Sequence, residues 1–142
     1  MYVFDIDGTL ANLDHRLHHI QKTPKDWDAF YEACDRDSLI GPIAKIAWNL
    51  TGNTIVYVTG RSEKVRDKTI LWLNHHSLWM PNGNSVLLMR QIGDHRPDHI
   101  IKPELVAPFK DQITAIFEDR ASVVKAYRDM GLTCLQVADG EF

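Results

Sequence analysis

Asp5-Ile6-Asp7-Gly8-Thr9 ends the first apolar run of this 142-residue chain and is the first feature able to do chemistry. In a strand alternate side chains share a face, so Asp5 and Asp7 point the same way if the extended geometry continues through them. Carboxylates crowded at a strand end repel each other and call for a cation. Gly8 allows a sharp turn that brings backbone amides close to an anion. The bland alternative for the segment is a polar strand terminus followed by a turn.

Three further segments add to it. Val58-Thr59-Gly60-Arg61 ends another apolar run, where a hydroxyl and a backbone turn at a helix N-terminus can hold a phosphate oxygen. Lys102 lies in what reads as a polar connection, and a single lysine carries weight only through its neighbours. Phe117-Glu118-Asp119-Arg120 again puts acidic residues at the end of an apolar run. In an open parallel sheet the ligand site lies beyond the carboxyl ends of the strands, so three separate strands deliver polar groups to one edge.

Other reactive residue types read more plainly. His15, His18 and His19 with Asp14 can be drawn as a transition-metal site, but a second ligand cluster is lacking and the carboxylates call for a harder ion. His75 and His76 suit a helix end. Trp48, Trp72 and Trp79 are expected in the core, whereas Trp27 is balanced between packing and base stacking. Cys34 and Cys134 are a hundred residues apart and read as reduced core thiols.

The elements that must position these groups follow from periodicity. Five short runs rich in Val, Ile, Leu and aromatics, at 2–6, 54–59, 86–89, 113–117 and 134–137, lack strict alternation, as strands covered on both faces do. Between them, Ser62 caps a helix through Val65, Ile70 and Leu73. Gly41 and Pro42 begin another carrying Ile43, Ile46, Ala47 and Leu50. A third carries Val123, Tyr127 and Met130, with Gly131 as its C-terminal cap. The segment 103–110 is ambiguous because it holds two prolines. The expected fold is α/β, a doubly wound, Rossmann-like parallel five-stranded sheet. Residues 11–38 break the pattern and read as a small helical, cap-like insertion after the first strand, in a single domain over 1–142.

Composition narrows the function classes. With 44% apolar and 25% charged residues the chain has the balance of a soluble globule. No apolar run approaches the roughly 20 residues that cross a bilayer, and the start lacks a basic leader, so a cytoplasmic protein with no membrane association is expected. The net charge of −3 supplies no general attraction to nucleic acid, so an anionic substrate must be met by local charge. Arg61, Lys64, Arg66 and Lys68 form the densest basic group, read first as a solvated helix face.

Taken in order, DIDGT, the threonine of VTGR, Lys102 and the acidic pair of FEDR resemble the four motifs of the haloacid-dehalogenase superfamily. Asp7 as a second aspartate resembles its phosphatase branch. The stretch Met89-Arg90-Gln91-Ile92-Gly93-Asp94-His95-Arg96-Pro97-Asp98-His99-Ile100-Ile101-Lys102 and the ending Gln136-Val137-Ala138-Asp139-Gly140-Glu141-Phe142 look like the phosphatase domain of phage T4-type polynucleotide kinase phosphatase. Departures are a longer segment between Arg16 and Cys34, and Glu118 where the phage enzyme has Asp. There is no GxxxxGK[ST] loop for a kinase activity.

That resemblance implies a Mg²⁺-dependent phosphomonoesterase in which Asp5 is the nucleophile, forming an aspartyl-phosphate, and Asp7 the general acid and base. Lys102 would steady both nucleophile and phosphoryl group. It implies metal ligation by Asp5, the Asp7 carbonyl and Asp119, with Glu118 acting directly or through water. It also implies substrate binding by Thr59, Gly60, Arg16, Arg61, Arg90 and Asp98. The implied substrate is a phosphorylated nucleotide, with the 3' end of DNA or RNA ahead of free mononucleotides. A kinase or ligase partner would be a separate chain. A deoxynucleoside monophosphatase with a lid over 11–38, a sugar phosphatase and a non-catalytic phosphate-binding module are the competing readings.

Overall fold

The computed structural model describes residues 1–50, 52–80 and 82–140. Glu141 and Phe142, part of the C-terminal motif above, lie outside them. Among the described residues the strands are β1 (Tyr2–Asp5), β2 (Ala11–Asn12), β3 (Ser38–Leu39), β4 (Ile55–Ser62), β5 (Ser85–Arg90), β6 (Ala115–Arg120) and β7 (Cys134–Gly140). The α-helices are α1 (His18–Gln21), α2 (Trp27–Glu32), α3 (Gly41–Asn49), α4 (Arg66–His75), α5 (Asp98–Val106) and α6 (Ala121–Asp129). Five strands form a parallel sheet in the order β5-β4-β1-β6-β7, and β2 and β3 pair antiparallel as a small second sheet.

Alternation along the central strands sends side chains into two cores. Phe4, Ile55 and Tyr57 join Ala44 and Ala47 of α3 and Trp72 and Leu73 of α4 on one face. Val3, Val56, Val58 and Ile116 join Val106 of α5 and Val123, Val124 and Tyr127 of α6 on the other. Helices therefore cover both faces, which is why the strand sequences are apolar throughout. Phe4 and Phe117, paired in register across β1 and β6, stack with ring centroids 4.5 Å apart.

The five strands fall where expected, but β4, β6 and β7 run three residues beyond their apolar runs. Their polar ends stay paired: β4 and β6 each carry a register irregularity, between Thr59 and Ser62 and between Glu118 and Arg120. Such irregularities re-aim side chains at strand ends. Ser62 caps a 3-10 turn leading into α4, and Gly131 closes α6 with φ +82°.

The positions of Lys102 and Trp48 depart from expectation. Lys102 lies within α5, not in a polar connection, because Asp98 starts the helix and Pro103 is accommodated inside it. Trp48 is on the surface at 36% exposure, its indole N–H donating to the His76 carbonyl, whereas Trp72 is buried and Trp79 packs against the core.

The insertion is stemmed rather than loose. β2 and β3 bring its two ends together, and α1 and α2 lie between them. Asp26 caps α2 by accepting from the Ala29 N–H at 3.0 Å, and Phe30 is its buried anchor.

Candidate active site

Asp5, Glu118 and Asp119 meet at the carboxyl ends of β1 and β6, all buried, with one oxygen of each within 4.8 Å of the others. β1 and β6 are neighbours in register, so the sheet itself brings Asp5 beside the acidic pair. From the helical layer Lys102 places its ammonium 2.6 Å from Asp5 Oδ1 and 2.8 Å from Glu118 Oε2. The Thr9 hydroxyl donates to Asp5 Oδ2 at 3.1 Å. Gly8, at φ +91°, passes so close that a Cβ would strike the Asp119 carboxylate.

Charge at this centre is unbalanced. Burial, then the Glu118 carboxylate, pushes Asp5 well above the usual carboxyl range against the opposing pull of Lys102. Burial and Glu118 likewise push Asp119 up to about 6. Burial alone would depress Lys102, but Asp5 and Glu118 outweigh it and keep the ammonium charged. Three buried carboxylates around one lysine lack positive charge, and the missing charge matches a hard divalent cation held by oxygen ligands.

Asp7 is held apart from that trio. Its carboxylate takes Arg61 Nη2 at 2.6 Å and Arg16 Nη2 at 2.8 Å. Burial favours its neutral form, but Arg61 and Arg16 override this and hold it below the usual carboxylate range. Behind them sits Asp37, fully buried in its side chain, which accepts from Arg16 at 2.6 Å, Arg61 at 2.9 Å and His15 at 2.7 Å. Arg16 and Arg61 have no exposed surface, so Arg61 is not part of a solvated helix face. Both are paired with Asp7 and Asp37 in this structure rather than presented to the cleft.

Arg90 and Asp98 do come together, bonded to each other, and Arg120 reaches the second Asp98 oxygen at 2.7 Å. Asp98 lies one turn before Lys102 on α5, so the two share a helix face. Arg90 also donates to the Gly60 carbonyl at 2.8 Å and to the carbonyls of Asp94 and Arg96 at 3.0 and 2.5 Å, fixing the loop before α5. A Cβ at Gly60 would collide with the Asp98 carboxylate, so a larger residue there would displace Asp98. Thr59 is buried and accepts from the Arg61 N–H at 3.2 Å; Gly60 and Ser62, not Thr59, line the cleft.

The cleft is about 460 Å³ and has Asp5, Asp7, Lys102 and Glu118 in its wall. The insertion supplies another wall through Ile20, Lys25, Trp27, Phe30 and Tyr31, and Tyr31 donates to the Gly60 carbonyl at 3.2 Å. Asp37, Thr9, Tyr31 and Arg120 were not singled out from the sequence. Thr9 and Arg120 lie inside the motifs quoted for the resemblance; nothing local marks Asp37 or Tyr31.

A parallel sheet with buried carboxylates at the ends of two adjacent strands and a lysine from the helix that precedes the second of them is the arrangement of haloacid-dehalogenase-type phosphatases. Within that class, the chain belongs to the polynucleotide kinase PNKP phosphatase domain family, whose model matches residues 1–142, and it is a phosphoric monoester hydrolase. Two solved structures, both of Pnkp1/Rnl/Hen1 complexes and one of them the RNA repair complex, are similar at 28% and 26% identity with TM-scores of 0.78 and 0.80. They cover 99% of this chain, which spans 46% and 43% of theirs, less than half the length of each. A class C acid phosphatase from Bacillus anthracis with tungstate bound shares the fold at 16% identity and TM-score 0.63, over 99% of this chain and 67% of its own. Among the described residues no helix is long and apolar enough to cross a membrane.

Proposed function

We propose that this domain is a Mg²⁺-dependent phosphatase that removes the 3'-phosphate from polynucleotide ends through an aspartyl-phosphate on Asp5. The observation that carries the chemistry is the buried trio of Asp5, Glu118 and Asp119 with Lys102 bonded to two of them. Family membership and the Pnkp1 likenesses support the substrate.

A magnesium ion held by Asp5, Asp119, the Asp7 carbonyl and Glu118, directly or through water, would neutralise phosphate oxygens during attack. Asp5 attacks phosphorus in line; the bond to the leaving 3'-oxygen breaks, and that oxygen takes a proton from Asp7. Water then attacks the aspartyl-phosphate, Asp7 takes its proton, and the phosphorus bond to Asp5 breaks to release inorganic phosphate. Arg16 and Arg61 hold Asp7 in place and favour its ionised form, the form that deprotonates water. A dianionic phosphate in the cleft offsets the two guanidinium charges, allowing Asp7 to arrive protonated for the first step. Two unit charges about 4 Å apart interact by about 4 kcal/mol at an effective dielectric of about 20, so the Lys102 ammonium beside Asp5 substantially relieves carboxylate–phosphate repulsion. Arg90, fixed by Asp98 and Gly60, and Thr59 behind Gly60 shape the phosphate side of the cleft, and the insertion acts as its cap.

Phosphate release from a 3'-phosphorylated oligonucleotide, with Mg²⁺ and with EDTA, tests the reading. Metal-dependent release is expected; absence of turnover on any phosphoester would discard it.

A further inference from the structure

Trp27 is left unexplained by this chemistry. It is a large apolar side chain with 46% of its surface exposed, yet it lines the same cleft as Asp5 and Asp7. A tryptophan that only packed the insertion would be turned inward, as its neighbour Phe30 is, at 5% exposure.

Its surroundings form an aromatic ledge. The Trp27 indole meets Phe30 edge-on at 5.8 Å and Tyr31 in a near-parallel arrangement at 6.0 Å, 28° between planes. Phe30 is braced by the buried Arg16 guanidinium 4.3 Å from its ring centroid. Tyr31 is tied by its hydroxyl to the Gly60 carbonyl, so the ledge is fastened at one end beside the residues that hold Asp7. These two attachments hold the ledge ready to receive a flat apolar ligand, with little ordering needed on binding.

Charge around Trp27 is mixed but weighted toward cations. Lys25 sits over the indole at 5.6 Å, and Trp27 borders a second, outer groove lined by Lys22, Lys25, Lys64 and His95. Asp26 and Asp28 also line that groove, each near a lysine: Lys22 at 3.8 Å and Lys64 at 3.7 Å. An exposed indole bordered by three lysines matches a single strand, whose bases stack and whose phosphates seek cations.

We propose that Trp27 is a stacking platform for the nucleobase at the phosphorylated end of a single-stranded polynucleotide, the strand leaving through the groove of Lys22, Lys25 and Lys64. Lys25 exchanges the indole for a backbone phosphate when the base arrives. Stacking of this kind is sequence-tolerant, because every base has an apolar face. The proposal rests on the 3'-end phosphatase reading and names the part of that substrate the cap recognises.

The test compares kcat/KM for a single-stranded 3'-phosphorylated oligonucleotide with that for glycerol phosphate, which has no base, in wild type, Trp27→Ala and Trp27→Phe. The oligonucleotide-to-glycerol-phosphate ratio is expected to fall at least about five-fold in Trp27→Ala, chiefly through KM, and to recover largely in Trp27→Phe. A terminal 2-aminopurine on the same oligonucleotide, bound to Asp5→Asn to prevent turnover, should be quenched with Trp27 present and much less so in the Asp5→Asn, Trp27→Ala double variant. A high wild-type ratio that Trp27→Ala leaves alone, or an equal loss on both substrates, overturns the stacking site while the phosphatase reading stands. A wild-type ratio near one overturns the polynucleotide reading and the stacking site together.

Discussion

Asp37 and Asp7, thirty residues apart in sequence, share the same two guanidinium groups: Arg16 and Arg61 each bond both carboxylates. Asp37 has no exposed side-chain surface, so it faces only protein, whereas the Asp7 side chain keeps 16% exposure and lines the cleft. One carboxylate fixes the arginines; the arginines fix the other.

Replacing Asp37 by Ala should therefore damage both stability and turnover. Two buried guanidinium groups lose a shared partner, and breaking a buried ion pair from one side costs about 3–5 kcal/mol. Urea unfolding measures that loss. Because Asp37 touches no substrate, kcat should fall while the affinity for a phosphate mimic changes little; unchanged kcat in a folded Asp37→Asn variant would remove it from Asp7's support.

Asp5→Asn and Asp7→Asn should both abolish steady-state turnover, for different reasons. The first removes the proposed nucleophile, and the second the proposed proton-transfer group while leaving Asp5, Glu118 and Asp119 in place. BeF₃⁻, which mimics a phosphoryl group on a carboxylate, should bind the Asp7 variant far better than the Asp5 variant. Activity surviving in Asp5→Asn would require another nucleophile.

Much of this arrangement was legible in the sequence because parallel strands state their ends clearly. An apolar run followed by Asp5 or by Glu118 and Asp119 names both the strand and its polar tip, and the sheet rule collects the tips at one edge. Lys102 was legible as a residue but not as a place. Pro103 beside it suggested a break, while Asp98 at the helix start and burial against α6 make a helix that tolerates the proline. Asp37 was illegible for a different reason. Its partners lie 21, 22 and 24 residues away and are gathered only when β2 and β3 close the insertion. Trp48 shows the limit of composition: its helix buries Ala44 and Ala47, and the indole comes to lie over the following helix's end instead.

Metal binding should reveal itself in stability. Asp119 is buried beside Glu118, and both burial and that neighbour disfavour its charge, so the metal-free protein carries a repulsive centre. In EDTA, Asp119→Asn should melt above wild type because one of three crowded carboxylates is neutralised. Added Mg²⁺ should raise the wild-type Tm and leave the variant nearly unmoved, since ligands that bind only the folded state stabilise it in proportion to affinity. A variant that melts lower in EDTA would show that Asp119 is held by protein contacts rather than poised for a cation.

Substrate choice is the remaining question, and charge gives the means to decide it. The chain carries a net charge of −3, so any preference for a polynucleotide must arise locally, from the lysines beside the cleft. Each phosphate neutralised on a single strand contributes a salt dependence of about −0.7 in the logarithmic slope. With two or three such contacts, the kcat/KM for a 3'-phosphorylated oligonucleotide should fall by roughly seven- to twenty-fold between about 50 and 200 mM salt. The same enzyme acting on a 3'-mononucleotide, which lacks the neighbouring phosphates, should respond less. A 5'-phosphorylated oligonucleotide should be a poor substrate at both salt concentrations. A salt-insensitive preference for mononucleotides would reject end processing and assign the domain to nucleotide-pool chemistry, with α1 and α2 then closing over the whole substrate.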